Sequence, residues 1–226
     1  MKYLVLSTIL ASVFFGAAPL SAEDFSLLSH PKFNGEVRAR YENVDDQSNT
    51  KSQANAYTVR ATLGLNANVF GLDALTMKVE GTTVQAIGPQ YYFDGTYNGM
   101  TTYDTVVDPV QTRFDQAYLQ YKVGKTTIKA GRQVINLDNQ RFIGSVDWRQ
   151  MMQSFDAVLL TDTTVDNLTL TGGYIRSIAG ITNAPVTLRN RGNSIVLNGS
   201  YKFNDMLKVT AYDYRLASTH DTAGVA

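Results

Sequence analysis

From residue 33 onward, apolar and polar side chains alternate in segments of roughly ten residues separated by polar connections. Residues 57–67 show the pattern: Tyr57, Val59, Ala61, Leu63 and Leu65 fall on one face, with Thr58, Arg60, Thr62 and Asn66 on the other. Successive strand side chains point to opposite faces, so such a segment divides an oily surface from a wet one. The spacing predicts about nine strands, near 33–43, 56–67, 73–83, 112–123, 125–135, 152–162, 166–176, 193–203 and 205–215. Connections alternate between short ones and long ones at 44–55, 84–111, 136–151 and 177–192. That alternation is the plan of an antiparallel up-and-down transmembrane β-barrel, an all-β fold with short periplasmic turns and long external loops.

Parity assigns the faces. Phe33, Val37, Tyr41, Leu75, Met77, Val79, Leu119 and Tyr121 are expected toward lipid, as are Phe155, Ala157 and Leu159. Leu168, Leu170, Tyr174, Ile195, Leu197, Tyr201 and Val209 continue that face. The opposite face is expected to line the lumen. Its pore-lining and selectivity candidates are Glu36, Arg38, Arg40, Arg60, Lys78, Glu80, Lys122, Lys129, Asp156 and Lys202, with Glu42 and Lys208 beside them. Neighbouring strands lie about 4.8 Å apart, so Arg38, Arg40, Arg60 and Lys78 can form a basic ladder that favours anions in a narrow lumen. The competing expectation is that Glu36, Glu42 and Glu80 simply pair with these cations. Arg132 does not fit, because it shares parity with Ile128 and Ala130 and is expected at the membrane interface or after a bulge.

Residues 1–22 read as a signal peptide: Lys2, an apolar run over 3–15 and small residues up to Ala22. Residues 23–226 then form the barrel domain. The 226-residue chain carries 20 basic and 20 acidic residues, so the total charge implies no strongly charged partner. With Cys 0, disulfides, thiolate metal sites and cysteine nucleophiles are excluded. Tyr 13 and Phe 10 suit the aromatic girdles of a membrane barrel. An odd strand count and a loop-like end at residues 222–226 lead us to expect the N-terminal part of a larger barrel of about 16–18 strands.

One segment carries a resemblance to a known family. Gly131-Arg132-Gln133, Asp138-Asn139-Gln140-Arg141-Phe142-Ile143-Gly144, Asp147-Trp148-Arg149 and Ser154-Phe155-Asp156-Ala157 follow in order within about 29 residues. This run, with Arg113–Leu119 before it, resembles the alginate-export family of outer-membrane porins. The resemblance implies a channel in the outer membrane of a Gram-negative bacterium. The alginate exporters it resembles use an Arg/Lys-rich pore, whereas here the basic positions are interspersed with Glu36, Glu42, Glu80 and Asp156.

Two long loops hold further candidates. The 84–111 loop carries Tyr91, Tyr92, Asp94, Asp104 and Asp108, either as a surface that enters the pore mouth or as an external lid. The 136–150 loop carries Asp138, Arg141, Asp147, Trp148 and Arg149. Their closeness predicts first salt bridges internal to the loop, and second a pore constriction. No cofactor or metal is expected, because the Asp spacing matches no calcium loop. No catalytic residue is expected either: His30 and His220 share no strand face with a serine and a carboxylate. Balanced charge argues against nucleic acid as a partner. The partners expected are outer-membrane lipid and small polar or anionic solutes, with the protein a monomer or small homo-oligomer. Passive diffusion of such solutes is the function expected first. Export of an anionic polysaccharide, or a structural or adhesive barrel, are the alternatives.

Overall fold

The computed structural model describes residues 27–182 and 190–217, with the side chains of 190–192 excepted. The signal peptide expected at 1–22 and the last residues of the chain lie outside them. Nine strands form one sheet in strict chain order: β1 Leu28–Val44, β2 Ala54–Val69, β3 Leu72–Ala86, β4 Gln111–Val123, β5 Thr126–Gln133, β6 Ser154–Asp162, β7 Leu168–Ala179, β8 Asn190–Lys202 and β9 Lys208–Arg215. Every neighbouring pair is antiparallel. Among the described residues, β1 and β9 each pair with one neighbour only.

Short turns close one end of the sheet. Phe70 and Gly71, both with positive φ (55° and 67°), join β2 to β3 in the conformation whose twist matches that of a two-residue hairpin. Gly124, also at positive φ (58°), joins β4 to β5. The long connections, as far as the described residues trace them, lie at the other end.

The two faces of the sheet differ. On the bare face, Phe33, Val37, Tyr57, Leu63, Phe114, Leu119, Val158, Leu160, Leu170, Ile195, Leu197 and Val209 are exposed. A continuous apolar surface over nine strands has no place in water and is the lipid-facing side of a barrel wall. The other face is polar and covered by the long connections, and there the buried apolar residues collect. Ile135 and Ile143 from the β5–β6 connection pack on Phe155, Ala157, Ile175 and Val196. Tyr92 and Val106 from the β3–β4 connection pack on Ala54 and Ala56.

This packing reverses the parity expected for β6. Phe155 and Ala157 are buried against the loop on the covered face, and Val158 and Leu160 turn outward instead. Both faces of β6 are apolar, one for lipid and one for the loop, so alternation alone cannot orient it. Asp156 moves with the strand. It stands opposite Arg132, on the outward parity of Ile128, Val158 and Leu160 rather than in the lumen. Arg132 Nε and Nη2 reach its two carboxylate oxygens at 2.7 and 2.9 Å, and Ser177 Oγ donates to Oδ2 at 2.5 Å. The misfit arginine is thus neutralised by a bidentate partner at the loop end of its strand.

Candidate functional site

The β1–β2 register sets the site. Arg38 lies directly opposite Arg60, one pair away from Arg40 opposite Thr58 and from Glu36 opposite Thr62 on the covered face. Two guanidiniums side by side on one wall would repel each other unless something took up their donors. The β5–β6 connection does so.

This connection leaves β5 four strands away from β1, a span of roughly 19 Å at the usual strand spacing. It crosses the covered face and lays residues 147–150 on β1 and β2. Arg38 Nη1 donates to Asp147 O at 3.1 Å, Nη2 to Arg149 O, and Nε to Gln150 Oε1 at 3.1 Å. Arg40 Nη1 donates to Trp148 O at 3.3 Å, and Arg60 Nη1 to Gln150 O at 3.3 Å. Gln150 is fully buried and its amide donates to Thr58 Oγ1 at 2.8 Å. On β4, Arg113 repeats the pattern: Nη2 donates to Met152 O, and Nη1 to Gly180 O at 2.5 Å at the start of the next long connection. Four wall arginines therefore hold the long connections by their backbone carbonyls.

Carboxylates complete the network. Glu36 pairs with Arg60 at 2.5 Å, Glu42 with Arg40 and with Arg149 (3.1 Å), and Asp108 with Arg40 at 3.2 Å. Asp108 is wholly buried and also accepts the Gln150 N–H at 3.2 Å, so it locks the β3–β4 connection to the β5–β6 connection. Arg38 differs from its neighbours. Its bonds go to neutral acceptors, and among the described residues no carboxylate is in ion-pair contact with it.

The loop's own charges do not pair with one another, contrary to the first expectation. Arg149 goes to Glu42, while Asp138 accepts from Asn198 at 3.0 Å and from the Tyr214 hydroxyl, at the far end of the sheet. The strand ladder of the wall holds these partners in place for the loop. Trp148 lies at the loop tip, 59% exposed, with the guanidinium carbons of Arg149 and Arg40 at 4.2 and 5.6 Å from its ring. Arg141 is exposed.

In the 84–111 loop, Asp94 accepts the N–H groups of Thr96 and Tyr97 at 2.7 and 2.9 Å, and Asp104 those of Asp46 (2.8 Å) and the Asn49 side chain (2.9 Å). Both therefore shape the loop. Tyr91 rests against Tyr103, at 5.9 Å between rings. Tyr92 is buried and donates to Asp108 O at 3.1 Å. Burial, with Asp108 and Asp94 nearby, pushes its phenol up to about 12.

Nearer the short turns the covered face is more open. A groove of about 490 Å³ is lined by Lys32, Asn66, Lys78, Tyr118 and Gln120. Lys78 pairs with Glu80 at 2.9 Å, and Glu80 also accepts from Gln116 at 2.7 Å. Lys129 lies over the Tyr118 ring at 5.0 Å, Lys122 is exposed, and Lys202 pairs with Asp205 at 2.6 Å in the turn. Two residues that parity reasoning passed over are Tyr212 and Tyr214, stacked at 4.7 Å on the covered face of β9. Their i, i+2 spacing after Lys208 and Thr210 was the available signal.

A meander of membrane-length strands, oily outside and crossed inside by its own long connections, is the wall of an outer-membrane β-barrel of the porin type. The family model described as alginate export matches residues 28–193, and the chain belongs to that family. A search of curated proteins finds no match. Among solved structures, a BenF-like porin from Pseudomonas fluorescens Pf-5 aligns over 84% of this chain and 51% of its own, at 18% identity and a TM-score of 0.65. OccD3 (OpdP) of Pseudomonas aeruginosa aligns over 84% and 41%, at 18% identity and 0.58. OccK2 (OpdF) of the same organism, solved with glucuronate, aligns over 82% and 45%, at 15% identity and 0.54. At these identities the likeness speaks to the fold. The chain spans about half the length of the porins it matches.

Proposed function

We propose that this chain forms part of a channel through which small polar and anionic solutes diffuse across the outer membrane. In this reading the β5–β6 connection is the constriction, and Arg38, Arg40 and Arg60 bias it toward anions. The carrying observation is Arg38: three uncharged acceptors fix its orientation, and among the described residues no carboxylate is in ion-pair contact with it. A positive group preorganised in a narrow passage attracts anions without having to reorient. The glucuronate in OccK2 lends support to a carboxylate-bearing solute. The chain acts here as a conduit with no catalytic step. Export of a long anionic polysaccharide is the second reading, favoured by the family's description. The carboxylates of Glu36, Glu42 and Asp108 among the arginines make it the weaker one.

The test is conductance of the purified protein in planar bilayers under a salt gradient. Ohmic steps with an anion-biased reversal potential are expected. Arg38→Ser should cut that bias, and Arg38→Lys should keep most of it. An unchanged reversal potential in Arg38→Ser would refute the selectivity role, and a folded but silent protein would refute the channel.

A further inference from the structure

The far end of the β5–β6 connection builds a second constellation on the covered face. Phe142 lies 5.7 Å from the Tyr212 ring and 6.3 Å from the Tyr214 ring, and the two tyrosines are stacked with an interplanar angle of 21°. Phe142 is 52% exposed and Tyr212 49%, so ring faces remain open. Polar groups border them. Asn198 Nδ2 donates to both oxygens of Asp138 at 3.0 Å and to Tyr214 Oη at 2.6 Å, and Tyr214 Oη donates to Asp138. Tyr212 Oη makes no hydrogen bond among the described residues.

The loop that carries Phe142 and Asp138 is held in an uncommon conformation. Asp138, Asn139 and Gln140 all have positive φ (48°, 56° and 62°), which costs non-glycine residues free energy and persists only where surroundings over-determine it. Here Leu137 and Ile143 bridge the loop, and Gln140 Oε1 accepts from the N–H groups of Ser145 and Val146 at 3.1 and 3.2 Å. Packing of the core needs Ile143, but it does not need an exposed phenyl ring beside two tyrosines on an otherwise polar wall.

An exposed aromatic surface with a carboxylate, an amide and a hydroxyl at its edge matches the chemistry of a sugar ring. A pyranose has an apolar C–H face that lies on an aromatic ring and equatorial hydroxyls that need acceptors and donors at its rim. We propose that Phe142, Tyr212 and Tyr214, with Asp138 and Asn198, form a binding subsite for uncharged pyranose rings on the solute path. The site rests on the reading of the covered face as a channel wall, and it names a sugar class that the basic wall of β1 and β2 does not select. A uronate suits it less, because its carboxylate would meet that of Asp138.

The experiment is calorimetric titration of the folded protein in detergent micelles with cellotetraose, a neutral probe, and with tetramannuronate. Saturable binding of cellotetraose, tighter than that of the uronate, is expected. Phe142→Leu and Tyr212→Leu, which keep apolar bulk but remove the ring face, should each weaken it by about tenfold. Tyr212→Phe should retain most of the affinity. Tyr174→Leu, on the lipid face, should leave it unchanged. No binding of cellotetraose by the folded protein, equal affinity in the leucine variants, or preference for the uronate would each overturn the site. Because binding is read without current, a silent barrel refutes the channel reading alone, and a conducting barrel without sugar binding refutes this one alone.

Discussion

Arg38 and Arg60 face each other across the β1–β2 ladder, and both donate to the same residue, Gln150, which comes from a loop on the far side of the sheet. The like charges are not separated. They are bridged by one residue that offers its side-chain Oε1 to the first and its main-chain oxygen to the second.

Gln150→Leu keeps the volume and removes the side-chain bonds to Arg38 and Thr58. We expect a loss of about 1–3 kcal/mol in urea unfolding from liposomes, since the half-buried Arg38 Nε and the buried Thr58 hydroxyl both lose their partner. Single-channel conductance should rise and become noisier as the loop tip detaches. Unchanged current steps would mean the loop does not limit flow.

Asp108→Asn removes the buried carboxylate shared by Arg40 and the Gln150 N–H. The substitution leaves Arg40 with one carboxylate, Glu42. Anion preference should increase, opposite in sign to Arg38→Ser, and the two shifts are to be compared in the same salt gradient.

The outward pair Arg132–Asp156 supports a double-mutant cycle. Asp156→Leu leaves an arginine on the lipid side and should cost about 1–3 kcal/mol near the membrane edge. Adding Arg132→Leu should restore most of it. A double variant as unstable as the single one would show that the pair is not what stabilises this edge.

Gly131→Ala should block assembly. The position has φ +127°, and a Cβ there would sit 2.4 Å from Ala117 O and 2.8 Å from Tyr118 Cα, backbone atoms that cannot step aside. Yield of the heat-modifiable folded form is the measurement, and near-normal yield would be inconsistent with this close approach.

Alkaline stability should depend on Tyr92. Its phenol titrates near 10 in the unfolded chain and at about 12 when folded. The folded state therefore holds the proton more tightly, so this contribution is complete below pH ~10 and is lost as pH rises toward ~12. Tyr92→Phe should flatten the fall in protease resistance of the 84–111 loop over that window. An unchanged alkaline edge would show that another group sets it.

Much of the fold was legible in the alternation. The strand predicted at 112–123 forms at Gln111–Val123, and the one at 56–67 at Ala54–Val69, because lipid on one side and solute on the other impose a period of two. Orientation failed at β6, where the loop packs Ile135 and Ile143 onto the inner face and makes both sides apolar. The arginines of the site could be found by parity, but their partners could not. Backbone carbonyls of residues 147–150 leave no mark in a sequence, and charge counting paired the arginines with carboxylates only. Tyr212 and Tyr214 were passed over because aromatic residues on a barrel suggest lipid girdles, whereas these two face inward.

The β5–β6 connection touches β1 and β2 at one end and β8 and β9 at the other, and the bond from Arg38 to Gln150 spans 112 residues of sequence. Contacts of such separation form late, because the chain entropy of closing them is not offset until the strands between are in register. Docking of this loop is thus a checkpoint on assembly: a sheet with one strand slipped would leave residues 147–150 without arginines to meet. Protection of the 134–153 amides against hydrogen exchange should accordingly appear after that of all eight strand pairs.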